Sequence, residues 1–197
     1  MRLSSWKSWG FGLAMVSLAG LGMASAQTLA GVTTTLDQTL ESKSAAVGTP
    51  ITATLKGSVK AGGLDLPKGT QLIGRIAEVK AAQKGSPASV SVVFATAKLK
   101  NGKEVPVKAT VIAAYPRSAD QGGEDGGITM GAPPQQVPLD GVYDQEPGAL
   151  SRVSLKSAVK SSDSATFASN ENFKLPSGTL LQLGVGAAGT AAQNAAE

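Results

Sequence analysis

The acidic residues of one glycine-rich stretch are the part of this sequence that comes nearest to a chemical site. Asp120, Glu124 and Asp125 stand within DQGGEDGG and supply hard oxygen ligands of the kind that bind Ca²⁺. Their spacing does not match the D-x-D-x-D-G pattern of a calcium-binding loop. A solvated acidic loop is therefore our main interpretation of this stretch, and calcium binding is the alternative.

The composition excludes most catalytic and cofactor chemistry. The chain has neither histidine nor cysteine, so Ser-His-Asp and Cys-His systems and imidazole or thiolate metal sites cannot form. A glycosidase needs two carboxylates held at a fixed separation, but Glu41, Glu78 and Glu104 are scattered and most other acids crowd the glycine-rich stretch. The sequence therefore predicts no catalytic residue, no cofactor and a protein that is not an enzyme.

The charge of the chain is unevenly distributed. The net charge is +4, yet residues 117–148 carry −5. The basic positions outside that segment could face an anionic envelope polymer or lipid, or they could serve only solubility and the protection of strand edges. No nucleic acid is predicted as a partner, because the sequence lacks aromatic residues for base stacking and a recognition helix for base contacts. The basic positions are Lys56, Lys60, Lys68, Arg75, Lys80, Lys84, Lys98, Lys100, Lys103 and Lys108.

The first 26 residues are predicted to be a signal peptide for export. Arg2 and Lys7 make a positive start, and an apolar run of about 14 residues follows. Ala24 and Ala26 fit the small-residue pattern of a cleavage site before Gln27. The run is shorter than the roughly 20 residues of a membrane-spanning helix, although an uncleaved anchor is the alternative. No cysteine follows it, which excludes a lipoprotein anchor at this point.

Alternation of apolar and polar residues dominates the chain after the signal. It is clearest from Ile51 to Val59, where one face is apolar and the other is threonine, lysine and serine. Residues 151–160 also have strand spacing, with a short helix as the alternative. The prediction is an all-β fold, a small barrel or sandwich of antiparallel strands with one long acidic Gly/Pro-rich loop. Further strands are predicted near 32–40, 71–79, 89–99, 104–113, 166–173 and 181–185.

The chain is predicted to form one β domain over residues 27–186. Residues 116–148 are dense in Gly, Pro, Asp and Gln, which predicts a flexible loop insertion. Residues 187–197 have no large apolar side chain to bury, which predicts a disordered tail. The net charge, the missing cysteines and the short length all fit a single exported domain stabilised by its core alone.

Three turns punctuate the predicted strands. Asn101-Gly102 is predicted to form a two-residue hairpin turn. The outgoing strand is predicted either to have a bulge near Phe94 or to be buried on both faces, and the return strand is predicted either to be an edge at Pro106 or to start late. The other two turns share the pattern Leu-Pro-x-Gly-Thr-x-Leu, in which Pro sets φ and Gly supplies a positive φ. Either a good turn is simply reused, or the two mark equivalent places in a closed sheet. The residues of the repeated turns are Pro67, Gly69 and Thr70, and Pro176, Gly178 and Thr179.

The order of these pieces resembles the C-terminal β-barrel of the TrbI-like family of conjugation and type IV secretion scaffolds. The similarity covers a Pro-x-Gly-Thr-x-Leu-x-Gly turn at 67–74, a hairpin at 90–107 and a late Gly-Thr turn at 178–179. That family has a membrane-inserted helical antenna and a long N-terminal section, and this sequence has neither. The resemblance thus implies the barrel fold and an envelope setting, but not a pore.

The resemblance and the excluded chemistry together indicate a non-catalytic exported protein of the periplasm or cell envelope. It is expected to act as a scaffold or protein-interaction module, with another envelope protein as its partner and with peripheral association to the envelope. The alternative function is a soluble periplasmic protein that binds a small ligand or Ca²⁺. No oligomeric state is predicted.

Overall fold

Antiparallel β-strands form all the regular secondary structure in the described part of this computed structural model, which comprises residues 29–117, 134, 136–137, 141–150, 152–158 and 164–188. The all-β prediction is confirmed. No helix that could cross a membrane occurs in these ranges. The strands are β1 (Leu29–Leu36), β2 (Leu40–Glu41), β3 (Pro50–Leu55), β4 (Val59–Ala61), β5 (Leu64–Leu66), β6 (Gln71–Lys80), β7 (Ala88–Lys98), β8 (Glu104–Tyr115), β9 (Gln136–Val137), β10 (Val142–Leu150), β11 (Val153–Ala158), β12 (Ser164–Ser169), β13 (Lys174–Leu175) and β14 (Leu180–Ala187).

Six of the strands close into a barrel. Their order around the barrel is β7, β6, β3, β1, β14 and β8, and pairing of β8 with β7 completes the ring. Every one of these pairings is antiparallel. Closure gives each barrel strand a neighbour on both sides, which removes the free sheet edges that promote aggregation.

One edge of strand β7 pairs with two different strands along its length, while the other edge pairs with β6. Its first half pairs with β12, from Ala88 to Val93, and its second half pairs with β8, from Phe94 to Lys98. Its register with β6 on the other side and its register with β8 both skip Ala95, which confirms the bulge near Phe94. At this bulge the pairing of β7 changes from β8 to β12. The strands β12, β11 and β10 form a three-stranded extension of the sheet.

The extension covers the part of β8 that β7 leaves open. The N–H of Ala114 donates to Oε1 of Gln145 at 2.8 Å, and Nε2 of Gln145 donates to the carbonyl of Ala114 at 2.9 Å. The amide of one β10 side chain thus satisfies both backbone groups of a β8 residue, as a neighbouring strand would. Pro106, near the start of β8, pairs only with β7, because pairing with β14 begins at Val107, so its predicted edge position is confirmed.

The core of the domain, which the barrel and the extension share, is filled by aliphatic side chains and phenylalanines. Phe94 and Phe167 are 1% exposed. Burying one such side chain is worth about 1.5–3 kcal/mol, so this core can sustain the fold without disulfides. The core also contains buried alanines, which are Ala53, Ala88, Ala97, Ala109, Ala114 and Ala165.

Four of the six barrel strands, with the short strands between them, form two equivalent units, which we call the two halves. One contains β3, β4, β5 and β6, and the other contains β1, β2, β13 and β14. In each half a short strand pair follows the first long strand, and the repeated turn then leads into the second long strand. Neighbouring strands from β6 through β3 and β1 to β14 are all antiparallel, so β6 and β14 run in opposite directions. The two turns therefore lie at opposite ends of the barrel.

Two sequence predictions need correction. The predicted loop at 116–148 contains β9 and most of β10, so it is shorter than expected; Gly148 and Pro147 within β10 hid a strand whose partner, β11, lies next in the chain. The predicted tail begins one residue too early, because β14 includes Ala187. For 151–160 the strand interpretation is confirmed and the helix is wrong. The predicted signal peptide lies outside the described residues.

Candidate functional site

The predicted calcium ligands Asp120, Glu124 and Asp125 lie outside the described residues. Within the part of the chain that the structure describes, no group of three or more acidic side chains could hold a metal ion. Calcium binding by the acidic stretch therefore stays a prediction. Calorimetric titration of the protein with Ca²⁺ would test it directly.

The two repeated turns have the same geometry. In the first, the hydroxyl and N–H of Thr70 both donate to the carbonyl of Pro67, at 2.8 and 3.1 Å, and Gly69 has φ 86°. In the second, Thr179 makes the same two bonds to Pro176, at 2.7 and 3.1 Å. Both threonines are fully buried.

Each turn also closes the end of a neighbouring barrel strand. The N–H of Gly69 donates to Leu55 at the end of β3, and the N–H of Leu55 donates to Thr70. Gly178 and Thr179, of the second turn, make the matching bonds to Leu36 at the end of β1. The structure supports the second interpretation of the repeat, in which the two turns mark equivalent places in a closed sheet.

A basic side chain covers the glycine of each turn. A Cβ placed on Gly69 would lie 2.7 Å from Cε of Lys100, and one placed on Gly178 would lie 2.7 Å from Cδ of Arg117. Lys100 follows the end of β7 by two residues, and Arg117 follows the end of β8 by two. The stems of these cations therefore pack on the turns at the two opposite barrel ends.

The predicted hairpin turn forms with a different loop length. The N–H of Leu99 donates to Lys103, and the N–H of Gly102 donates to Leu99, both at 2.9 Å. The loop is therefore Lys100-Asn101-Gly102, three residues and not two, with Gly102 at φ 82°. The Asn101 side chain accepts from the N–H of Lys103 at 3.0 Å, a bond that favours this three-residue loop.

A groove lies beside the second turn. It has a volume of about 480 Å³ and lies between the end of β8, the β10–β11 connection and the segment that leads from β12 into β13. Its floor is apolar and its rim is polar, which is typical of a binding site. The floor consists of Pro116, Leu150, Val153, Phe173, Leu175 and Pro176; the rest of the lining is Arg152, Ser169, Glu171, Asn172, Lys174 and Thr179.

Buried hydrogen bonds hold the groove wall in place. The N–H of Phe173 donates to Oγ of Ser42 at 2.9 Å, and the N–H of Ser42 donates to the carbonyl of Phe173 at 3.0 Å. Ser42 is 1% exposed, and its hydroxyl also approaches Oδ1 of Asn172 at 3.4 Å. The same Asn172 oxygen accepts from the N–H of Ala82 at 3.1 Å. The wall is therefore fixed before any ligand arrives.

Ion pairs neutralise the cations of the groove rim. Arg152 contacts Glu171 at 3.0 Å, and Lys174 contacts Glu41 at 2.7 Å. The hydrogen bond and charge of Lys174, with a further hydrogen bond from Ser44, hold the pKa of Glu41 below its ordinary value. The groove thus offers an apolar floor with a balanced rim, and it has no strongly charged centre.

Sequence reasoning missed this groove. Its floor residues come from three separate segments, and only Leu175 and Pro176 are part of a motif. The available signal was Phe173, an aromatic residue between polar neighbours in a predicted weak strand. The turn residues Pro176 and Thr179 were predicted correctly as a turn, but nothing in their spacing indicates that they border a cavity.

No protein-family model and no curated protein matches this chain. Among solved structures, the chain is similar to ComB10 of the Com type IV secretion system of Helicobacter pylori, with 9% sequence identity and a TM-score of 0.40 over 80% of this chain and 85% of that one. A likeness this distant carries no argument about activity or partners, because one fold hosts many functions. The barrel that the sequence predicted is present, whereas the family is not shown.

Proposed function

We propose that this chain is a non-catalytic protein-interaction module of the cell envelope, with a barrel of the TrbI-like type. The groove beside the second turn receives a short apolar segment of a partner envelope protein. The observation that carries the proposal is the groove itself: a concavity of about 480 Å³ with an apolar floor, built on a closed barrel and held by buried hydrogen bonds.

The lining of the groove selects the kind of partner. Phe173 and Leu150 are 8% and 9% exposed, so their small accessible areas form the floor without leaving a large apolar surface to water. Arg152 and Lys174 are already paired with acids, so the site offers little net charge to an ionic ligand. A segment of two or three apolar side chains suits such a floor, and its backbone can bond to the polar rim.

The proposed location and the lack of catalysis rest on different observations. The N-terminal sequence has the pattern of a signal for export, which supports an envelope setting. The missing histidine and cysteine remove the commonest nucleophile systems, which supports a binding role. A panel of chromogenic ester, phosphate and glycoside substrates would detect hydrolysis and so contradict this part of the proposal.

Site-specific photo-crosslinking in living cells tests the groove. A photoreactive amino acid at Arg152, on the groove rim, is expected to form an adduct with one defined envelope protein, whereas the same group at Lys84 is not. Arg152 is suited to this because its side chain is 80% exposed and its ion pair contributes little to stability. Equal adducts from both positions, or none from Arg152, would contradict the proposal.

A filled groove provides the matched control. Pro116→Trp places an indole in the groove and is expected to abolish the Arg152 adduct, while Pro87→Trp on an exposed loop leaves it unchanged. The thermal midpoints of both variants are measured first, so that unfolding is not mistaken for loss of binding. An Arg152 adduct that survives Pro116→Trp in a folded protein would place the partner elsewhere.

A further inference from the structure

Five exposed lysines gather at the barrel end opposite the groove. They lie on structures that the barrel brings together: the end of β3, the first repeated turn, the end of β7 and the hairpin loop that follows it. The first repeated turn bonds to the end of β3 through Gly69 and Leu55, and the hairpin packs on that turn through Lys100. These lysines form the basic surface: Lys56, Lys68, Lys98, Lys100 and Lys103.

A shallow concavity lies within the basic surface. Its volume is about 360 Å³, and Lys98 and Lys100 both line it. Thr54, Gln71 and Lys98 stand directly opposite one another on adjacent strands, so their side chains share the outer face of the barrel. The concavity therefore combines two ammonium groups with the Gln71 amide, which are groups that bind a phosphate.

The charge of the basic surface is largely uncompensated. None of its five lysines forms an ion pair within the described ranges, unlike Lys60 and Lys80, which pair with Asp65 and Glu78 at 3.3 and 3.2 Å. Two acids border the surface. Glu104 stands opposite Lys98 on β8, and Asp37 accepts a hydrogen bond from Thr54 at 2.8 Å. The lysines outnumber them, so the end of the barrel attracts anions.

We propose that the basic surface binds the phosphate headgroups of an anionic phospholipid membrane, with one phosphate held between Lys98 and Lys100. The five lysines stand on neighbouring strand ends and turns at one end of the barrel, so they can meet a flat charged layer together. The basic surface has no aromatic residue for stacking nucleotides and no deep apolar pocket for an acidic peptide. Each lysine near an anionic bilayer contributes about 1 kcal/mol, so five together suffice for peripheral attachment.

Vesicle co-sedimentation tests the proposal on the protein as it is recovered from expressing cells, with its N-terminus verified by mass spectrometry. The protein is expected to sediment with vesicles of equal parts phosphatidylglycerol and phosphatidylcholine, but not with phosphatidylcholine alone, and raising the salt is expected to release it. The double variant Lys98→Gln/Lys100→Gln is expected to lower the partition coefficient about thirty-fold, equivalent to about 1 kcal/mol for each lysine.

The matched control changes the same charge at the other end of β6. Lys80→Gln/Lys84→Gln is expected to bind anionic vesicles within about twofold of the unchanged protein, since these lysines lie outside the basic surface. Equal losses in the two double variants, or no sedimentation with anionic vesicles, would overturn the proposal. Tight, Lys98- and Lys100-dependent binding to soluble polyphosphate with no vesicle binding would assign the surface to a free polyanion and overturn it too.

Discussion

The two halves of the barrel reach the same geometry over very different lengths of chain. In the first half, β4 and β5 form a hairpin in which Val59 pairs with Leu66 and a salt bridge joins Lys60 to Asp65. In the second half, β2 and β13 pair Leu40 with Leu175, and a salt bridge joins Glu41 to Lys174. The first pair closes within a few residues, and the second closes across most of the domain.

This difference in chain length shows that the same local structure can form by a short or by a long closure of the chain. The repeated turn, the buried leucine before it and the cross-strand ion pair are present in both halves, so none of them requires a local connection. What differs is the chain entropy lost on closure, which grows with the length of the loop. The first half is therefore expected to form early in folding, and the second half is expected to lock the barrel last.

Truncating the buried leucine of each half produces the largest expected effect. Leu66→Ala and Leu175→Ala each remove a side chain that is at most 2% exposed, so each is expected to lower the free energy of unfolding by about 2–5 kcal/mol. Stopped-flow folding in urea is expected to separate them: Leu66→Ala slows folding, whereas Leu175→Ala mainly speeds unfolding. If the two variants divide their loss of stability between the folding and unfolding rates in the same proportion, the two halves form together.

Substitution of the turn glycines tests how alike the two turns are. Gly69→Ala and Gly178→Ala force alanine into a positive φ, at a cost of about 1–3 kcal/mol. Gly178→Ala is expected to cost more, because both Cγ and Cδ of Arg117 lie within 3 Å of the new Cβ, whereas only the flexible end of Lys100 crowds Gly69. Urea denaturation measures both.

Gly85→Ala isolates the backbone strain from the crowding. Gly85 has φ 85°, and a Cβ there would meet nothing within 4 Å. Its cost is expected to be the smallest of the three glycine variants. If Gly85→Ala destabilises the protein as much as Gly178→Ala does, the contact with Arg117 contributes nothing.

Acid is expected to weaken the second half selectively, and this is the smallest effect. Lys174 lowers the pKa of Glu41 in the folded protein from its ordinary 4.5, so the folded state binds this proton less readily than the unfolded state. The resulting stabilisation is present above pH 4.5 and is lost as the pH falls through the lowered value. Hydrogen exchange of the β2 and β13 amides at falling pH measures the loss, and Glu41→Gln is expected to remove this pH dependence.

The barrel could be predicted from the sequence because its signals are local. Alternation from Ile51 to Val59, the repeated Pro-x-Gly-Thr turn and the bulge near Phe94 depend on neighbouring residues, and the structure contains all three. The extension was harder to predict. Strand β10 contains Pro147 and Gly148, which indicate a loop when no partner strand is known.

The groove could not be predicted, because its geometry depends on distant contacts. Ser42 and Phe173 bond to each other across 131 residues, and no pattern in the sequence indicates that pair. The three-residue hairpin loop was missed for a local reason. Asn101-Gly102 favours a two-residue turn, but the Asn101 side chain accepts a hydrogen bond from the N–H of Lys103, which favours a loop one residue longer.

Strands β1 and β14 run side by side, and Ala30 pairs with Val185. The first and last strands of the described domain thus begin and end as neighbours on one sheet. A short linker could join them, and new ends could be opened in the exposed 81–87 loop without cutting a barrel strand. Such a circular permutant would keep β4 and β5 as a local hairpin and would bring β13 and β2 close together in the chain, so the short strand pairs of both halves would close locally.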